Sequence, residues 1–258
     1  MRNFLLMVQF MTRIPVPLHI DFTPARFVGG MKWMPLVGLF VGFPAAAIYF
    51  CTAGILGAEI GSFLALVVLI TVTGGLHLDG MGDTADGIFS YRPRDRVLEI
   101  MRDSTLGTNG VIAIILTILF KLLLLKSLAP AACLPALLSG PILGRMTVPW
   151  HAALVHYARD GKGMGDFTNQ VGIRHAGSSM VVSFLLITGI LLLSRAGFWF
   201  ALGVSVLLHT LAASMAVAFA YYLRYRIGGI TGDTFGASIE LVEIMTFLTF
   251  LLIWDLRL

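Results

Sequence analysis

Three aspartates recur at helical spacing in GGLHLDGMGDTADG, residues 74–87. If the segment is helical, Asp79, Asp83 and Asp86 fall at i, i+4 and i+7 and point within about 60° of one another. As a strand, Asp86 would face away from the other two. Three ionised carboxylates so placed repel, each pair by roughly 3 kcal/mol at about 6 Å and an effective dielectric near 20. Either some hold protons or a divalent cation sits among them. An all-oxygen set suits Mg²⁺, which keeps several waters and shares its shell with substrate phosphates. Gly80 and Gly82 weaken the helix but leave its face bare, so a bulky ligand can approach the backbone. A solvated acidic loop pairing with Arg92, Arg94 and Arg96 would not need three acids on a helical repeat between glycines, and the metal reading is preferred.

Two further polar segments carry compatible chemistry. IMRDSTLGTNG, residues 100–110, places Arg102, Asp103 and Asn109 around a glycine-bearing turn. Such a turn can offer backbone N–H groups and Arg102 to phosphate oxygens, or else simply cap a helix through Asp103, Ser104 or Thr108. GGITGDTFGASIE, residues 228–240, brings Thr231, Asp233 and Glu240, with Glu243 one turn further. Acids inside a membrane span are functional by default. Asp233 and Glu240, seven apart, share a helical face. His77 reads as a hydrogen-bonding or substrate-contacting group. Arg145, in the middle of an apolar run, requires an anionic partner, for which a substrate phosphate is the expectation. His151, His156, His175 and His209 have no ligand-like spacing with any acid and read as structural.

The elements that must position these groups are membrane helices. Of the 258 residues 57% are hydrophobic and 12% charged, with a mean hydropathy of +0.89; soluble domains carry about 25% charged residues. The long, even apolar runs exclude a barrel, whose strands would alternate. The expectation is one all-α, polytopic domain over 1–258. Its spans fall near 35–56, 61–78, 107–127, 131–156, 178–194, 198–221 and 236–254, preceded by an amphipathic interfacial helix over Phe4–Met11. Pro135, Pro141 and Pro149 predict a broken fourth span lining a cavity. With seven spans, one side receives thirteen Lys and Arg residues and the other three, Lys126, Arg195 and Arg257, with Lys121 expected to snorkel toward that second side. The basic side, which also holds every glycine-rich polar segment, is therefore expected to face the cytoplasm. The net charge of +4 follows from that topology; no basic stripe interleaved with aromatics points to nucleic acid. Cys51 and Cys133 lie in apolar runs without a CxxC and read as buried hydrophobes. A glycine-rich GKGMG at 161–165 is expected to form a mobile loop.

Taken with PLVGLFVG at 35–42, the motifs GGLHLDGMGDTADG, MRDSTLGTNG and GGITGDTFGA resemble the cobalamin synthase family, from TRIPVP at 12–17 to the acidic last span. Gly82 departs from the alanine expected there. The resemblance implies a Mg²⁺-dependent enzyme of the bacterial inner membrane, facing the cytoplasm. It would join adenosylcobinamide-GDP to α-ribazole or its 5′-phosphate with release of GMP, completing adenosylcobalamin. In that reaction a ribose hydroxyl attacks a phosphoanhydride. Mg²⁺ on Asp79, Asp83 and Asp86, with Asp233 as a fourth ligand, would polarise the diphosphate, and Arg102 and Arg145 would steady its oxygens. The catalytic residues so implied are Asp83, Asp86, Asp233 and Glu240, with the general base left open among the last three. The implied partners are these two substrates and membrane lipid, with no nucleic acid; the oligomeric state is left open.

Three rivals fit less well. A CDP-alcohol phosphotransferase would show DGxxAR, whereas Asp79-Gly80 is followed by Met81, Gly82, Asp83 and Thr84. A prenyltransferase would share the Asp79/Asp83 spacing but not the glycines. A carrier would place its charges near mid-bilayer, within reach of both sides.

Overall fold

A computed structural model describes residues 1–159 and 167–254. It is all-α, with no β-strand among the described residues. Three helices are short: α1 (Arg2–Met11), α2 (Pro24–Gly30), which opens the first apolar segment, and α6 (Arg94–Ile100). The longer ones are α3 (Met34–Leu56), α4 (Ala58–Thr73), α5 (Leu76–Ile88), α7 (Thr108–Ser127), α8 (Pro130–Leu154), α9 (Ile173–Leu193), α10 (Phe198–Ile227) and α11 (Gly232–Ile253). Six helical segments are long and apolar enough to cross a membrane: one running from α2 through α3, and α7, α8, α9, α10 and α11; α4 and α5 make a seventh when that bent pair is counted together. Each expected span has its helix.

The second span departs from the expectation. The apolar helix does not run straight into the aspartates but stops at Thr73, and α5 leaves it at 84°. Gly74 and Gly75 make the elbow, with φ of +64° and +75°, the left-handed region that glycine alone enters freely. Their N–H groups close onto the carbonyls of Thr71 and Ile70 at 3.0 Å. The elbow takes α5 out of the span, yet α5 is helical as the aspartate spacing requires.

The fourth span also differs. Its three prolines do not break it: α8 is continuous over 25 residues. It is the central helix, buried along most of its length, whereas α3, α7 and α9 leave most of theirs toward lipid. A proline-bearing helix persists where neighbours enclose it on all sides. Gly38 of α3 allows the closest of those contacts, since a Cβ there would lie 2.3 Å from the Pro141 carbonyl oxygen.

The two ends of the bundle are chemically distinct. At one, Lys126 meets Glu59 at 3.2 Å. At the other, the loops are tied together by main chain and arginine. Ala158 N–H donates to Ile230 O at 2.7 Å and Ile230 N–H to His156 O at 3.0 Å. Arg94 donates to Ile227 O at 2.9 Å and Ala158 O at 2.7 Å. Beneath this end lies an apolar core that includes Met7 and Met11 of α1, Phe27, Met34, Val148, Leu223 and Ile239. The interfacial helix is thus packed into the body of the protein on one face. GKGMG at 161–165 and Arg257 lie outside the described residues.

Candidate active site

The arginine-tied end gathers the aspartates. Helix α5 packs against the first turns of α11 through glycine: a Cβ on Gly80 would lie 2.6 Å from Asp233 O, and one on Gly236 3.0 Å from His77 O. The missing side chains let the two backbones touch, which sets Asp79 and Asp83 beside Asp233. Asp79 is exposed and Asp83 half-buried. Neither carboxylate has a hydrogen bond or ion pair among the described residues, although they stand one helical turn apart. Burial, followed by the charges of Asp79, Asp233 and Asp86, pushes the Asp83 carboxyl up to about 7.

The other two aspartates have partners. Asp86 accepts from Gly107 N–H at 2.7 Å and Gly110 N–H at 2.8 Å, so its two oxygens cap α7 and bind that helix to α5. Asp233 accepts from Arg159 at 2.9 Å and from the Thr231 hydroxyl at 3.3 Å. Thr231 is also the N-cap of α11, its hydroxyl accepting from Thr234 N–H. Among the described residues, no three His, Cys, Asp or Glu side chains converge as ligands for one ion.

Two clefts open here. One, of about 170 Å³, is lined by Asp79 and Asp233 together with apolar side chains of α1, α5 and α11. The other, of about 250 Å³, is lined by Arg94, Arg102 and Arg159 with Asp95 and Glu99. Arg159 links them, lining the second while bonding Asp233 of the first. Arg102 is exposed, as a phosphate-binding group requires, and Asn109 is half-buried in the first turn of α7. Asp103 accepts from the N–H and hydroxyl of Thr105; these bonds hold its carboxyl below the ordinary range. It shapes the turn before α7 and caps no helix, the N-cap of α7 being Gly107.

A separate layer of charge lies deeper. Lys121 of α7 reaches Glu240 and Glu243 of α11, both at 2.5 Å. Arg145 of α8 reaches Glu243 at 3.1 Å and faces His77 Nδ1 at 3.3 Å. All five side chains are buried. The snorkelling expected of Lys121 is therefore corrected: two buried carboxylates hold it inward, because an unpaired acid there costs more than an extended lysine gains at the surface. Arg145 has its anionic partner within the protein, at 0% exposure, and not at the cleft. Glu240 likewise faces Lys121, and His77 faces Arg145. These residues join α5, α7, α8 and α11.

The sequence reading missed Arg159 as a site residue. It gave no signal beyond a charge in a polar loop, and only the folding of that loop onto α11 brings it to Asp233. It also missed Gly107 and Gly110 as donors to Asp86; the two glycines flanking Thr108-Asn109 were the visible trace.

Comparison with known proteins fits this arrangement. Residues 3–251 match the family Cobalamin-5-phosphate synthase (CobS). A protein of Acetivibrio thermocellus is 37% identical over 98% of both chains, one of Thermoanaerobacter pseudethanolicus 35% over 96% of both, and one of Fusobacterium nucleatum 36% over 98% of both. Each of the three is named adenosylcobinamide-GDP ribazoletransferase. No solved structure matches the chain. With agreement from end to end and the aspartate helix held at one end of the bundle, the chain belongs to the cobalamin-5-phosphate synthase family of membrane enzymes.

Proposed function

We propose that the chain joins adenosylcobinamide-GDP to α-ribazole or its 5′-phosphate and releases GMP. The observation that carries the reading is the Asp79/Asp83 pair, without a hydrogen-bond partner among the described residues and with Asp79 lining a cleft, in a chain aligned along nearly its whole length with ribazoletransferases. A ribose hydroxyl oxygen attacks the phosphorus bonded to the cobinamide side. A new P–O bond forms, the anhydride bond to GMP breaks, and the hydroxyl proton passes to a protein base.

The donor set fits Mg²⁺. It is all oxygen, two of its carboxylates have no hydrogen-bond partner among the described residues, and Mg²⁺ needs only one or two protein carboxylates when phosphates and waters complete its shell. Asp79 and Asp83 would hold the ion, with Asp86 and Asp233 adding negative charge nearby. Bound Mg²⁺ would neutralise charge on the diphosphate oxygens. Arg102, Arg94 and Arg159 orient the diphosphate from the basic cleft and stabilise the negative charge that grows on the leaving GMP. Among the base candidates Asp233 is best supported. It lines the cleft and is partly exposed, whereas Glu240 is buried against Lys121 and both oxygens of Asp86 accept N–H bonds. The excess of basic residues at this end supports a site facing the cytoplasm from the inner membrane.

The test is GMP release by purified protein in detergent or lipid, given both substrates and Mg²⁺. The expected result is turnover that stops with EDTA and in Asp83→Asn, with the variant still folded. Turnover undiminished by either treatment would remove the metal reading, and no GMP from the wild type would remove the reaction.

A further inference from the structure

The cleft beside Asp79 and Asp233 is mostly apolar. Phe10 and Met11 come from α1, Leu76 from α5, and Phe235 and Ile239 from α11. Leu76 stands in it 41% exposed, at the start of a helix whose other apolar residues are buried. The cleft's enclosed volume is about 170 Å³, and its apolar body with a few convergent polar groups has the make-up of a site for a small ligand.

From this we infer that the cleft takes the base of the acceptor nucleoside, an uncharged alkylated aromatic ring, and leaves its ribose at the carboxylates. The inference rests on the reaction proposed above and assigns a part of the substrate to a place. The polar side chains lining the cleft select this ligand. Carboxylates only accept hydrogen bonds, so Asp79 and Asp233 could meet the N–H groups of guanine but leave its carbonyl and ring-nitrogen acceptors unpaired against apolar walls. The remaining polar side chain among the described lining residues, His77, is buried and faces Arg145. A corrinoid macrocycle is too large for a cleft of about 170 Å³. An alkylated aromatic base carries a single ring-nitrogen acceptor and is otherwise apolar, and Phe10 and Phe235 supply the surface it needs. Its ribose hydroxyls are donors and meet acceptors at the mouth, Asp233 included. The guanosine diphosphate end then falls to the arginine cleft on the other side of Arg159.

The experiment measures KM for each substrate separately, and retention of labelled α-ribazole by metal-free protein in equilibrium dialysis. Leu76→Trp fills the exposed edge of the cleft and Phe10→Ala removes an aromatic wall. Each is expected to raise KM for α-ribazole about tenfold or more, the scale of an altered apolar contact in a pocket. KM for adenosylcobinamide-GDP should stay within about twofold, and dialysis should show the same loss. Should Phe10→Ala not fold, Leu76→Trp, at an exposed position, decides alone. Wild-type KM for α-ribazole in folded Leu76→Trp, or a rise confined to the corrinoid substrate, overturns the assignment. Loss of co-purified phospholipid in that variant with unchanged α-ribazole binding also overturns it, and identifies an acyl chain as the occupant. A wild type that releases no GMP defeats the reaction itself, a different outcome from turnover that ignores the cleft.

Discussion

Asp233 in the first turn of α11 accepts a hydrogen bond from Arg159 at 2.9 Å, across 74 residues of sequence. Both side chains are mostly buried, at 15% and 23% exposure, and Arg159 also reaches Met101 O at 3.3 Å. One guanidinium thus holds the best-supported base and stands where the diphosphate is proposed to lie. Arg159→Gln is expected to lower kcat/KM by about 10²-fold, as loss of one donor to developing charge does. Arg159→Lys should restore part of it, because charge returns without the planar fork. Steady-state GMP release checks both variants.

A second expectation concerns stability against pH. The Asp83 carboxyl is raised from 3.8 to about 7 by burial and by its acidic neighbours. Between those values the folded protein holds a proton that the unfolded chain releases, so stability falls as pH rises through that window. In EDTA, wild-type protein should melt at lower temperature at pH 8 than at pH 5. Asp83→Asn should show a smaller drop while losing GMP release. Thermal scans at the two pH values distinguish the cases.

The buried charges of Lys121, Arg145, Glu240 and Glu243 cancel in pairs. Lys121→Met leaves two buried carboxylates facing one guanidinium and should destabilise by about 3–5 kcal/mol. Adding Glu240→Gln restores the balance and should recover most of the folded yield. Size-exclusion profiles after graded heating of the single and double variants report this directly.

The contact of α5 with α11 depends on Gly80. Gly80→Ala would set a Cβ against the main chain of Asp233, at 2.6 Å before any movement, so the helices must part. The expected result is a large fall in kcat, about 10²-fold for a displacement near 1 Å. The protein should still enter the membrane, because its apolar spans are untouched. Membrane yield measured beside turnover separates the two effects.

The sequence alone determined the class and most of the elements. Apolar runs of bilayer length fix helices, because hydrocarbon leaves backbone groups no partners but their own, and α3, α7, α8, α9, α10 and α11 lie where hydropathy places them. The period of Asp79, Asp83 and Asp86 foretold a helix, and the motifs around them foretold the family. Local pattern did not contain the pairing of charges across helices. Glu240 and Glu243 lie three residues apart in an apolar span, yet the sequence pointed Lys121 to the opposite surface and Arg145 to a substrate phosphate; only the packing of α7 and α8 against α11 pairs these cations with the two acids. The elbow at Gly74-Gly75 was equally ambiguous, since glycine permits a turn without requiring one. Arg159 became a site residue only because a loop folds back onto α11. Side-chain chemistry and spacing are written locally, whereas the partner of a buried charge is set by which helices touch, and that is decided by the packing of the whole bundle.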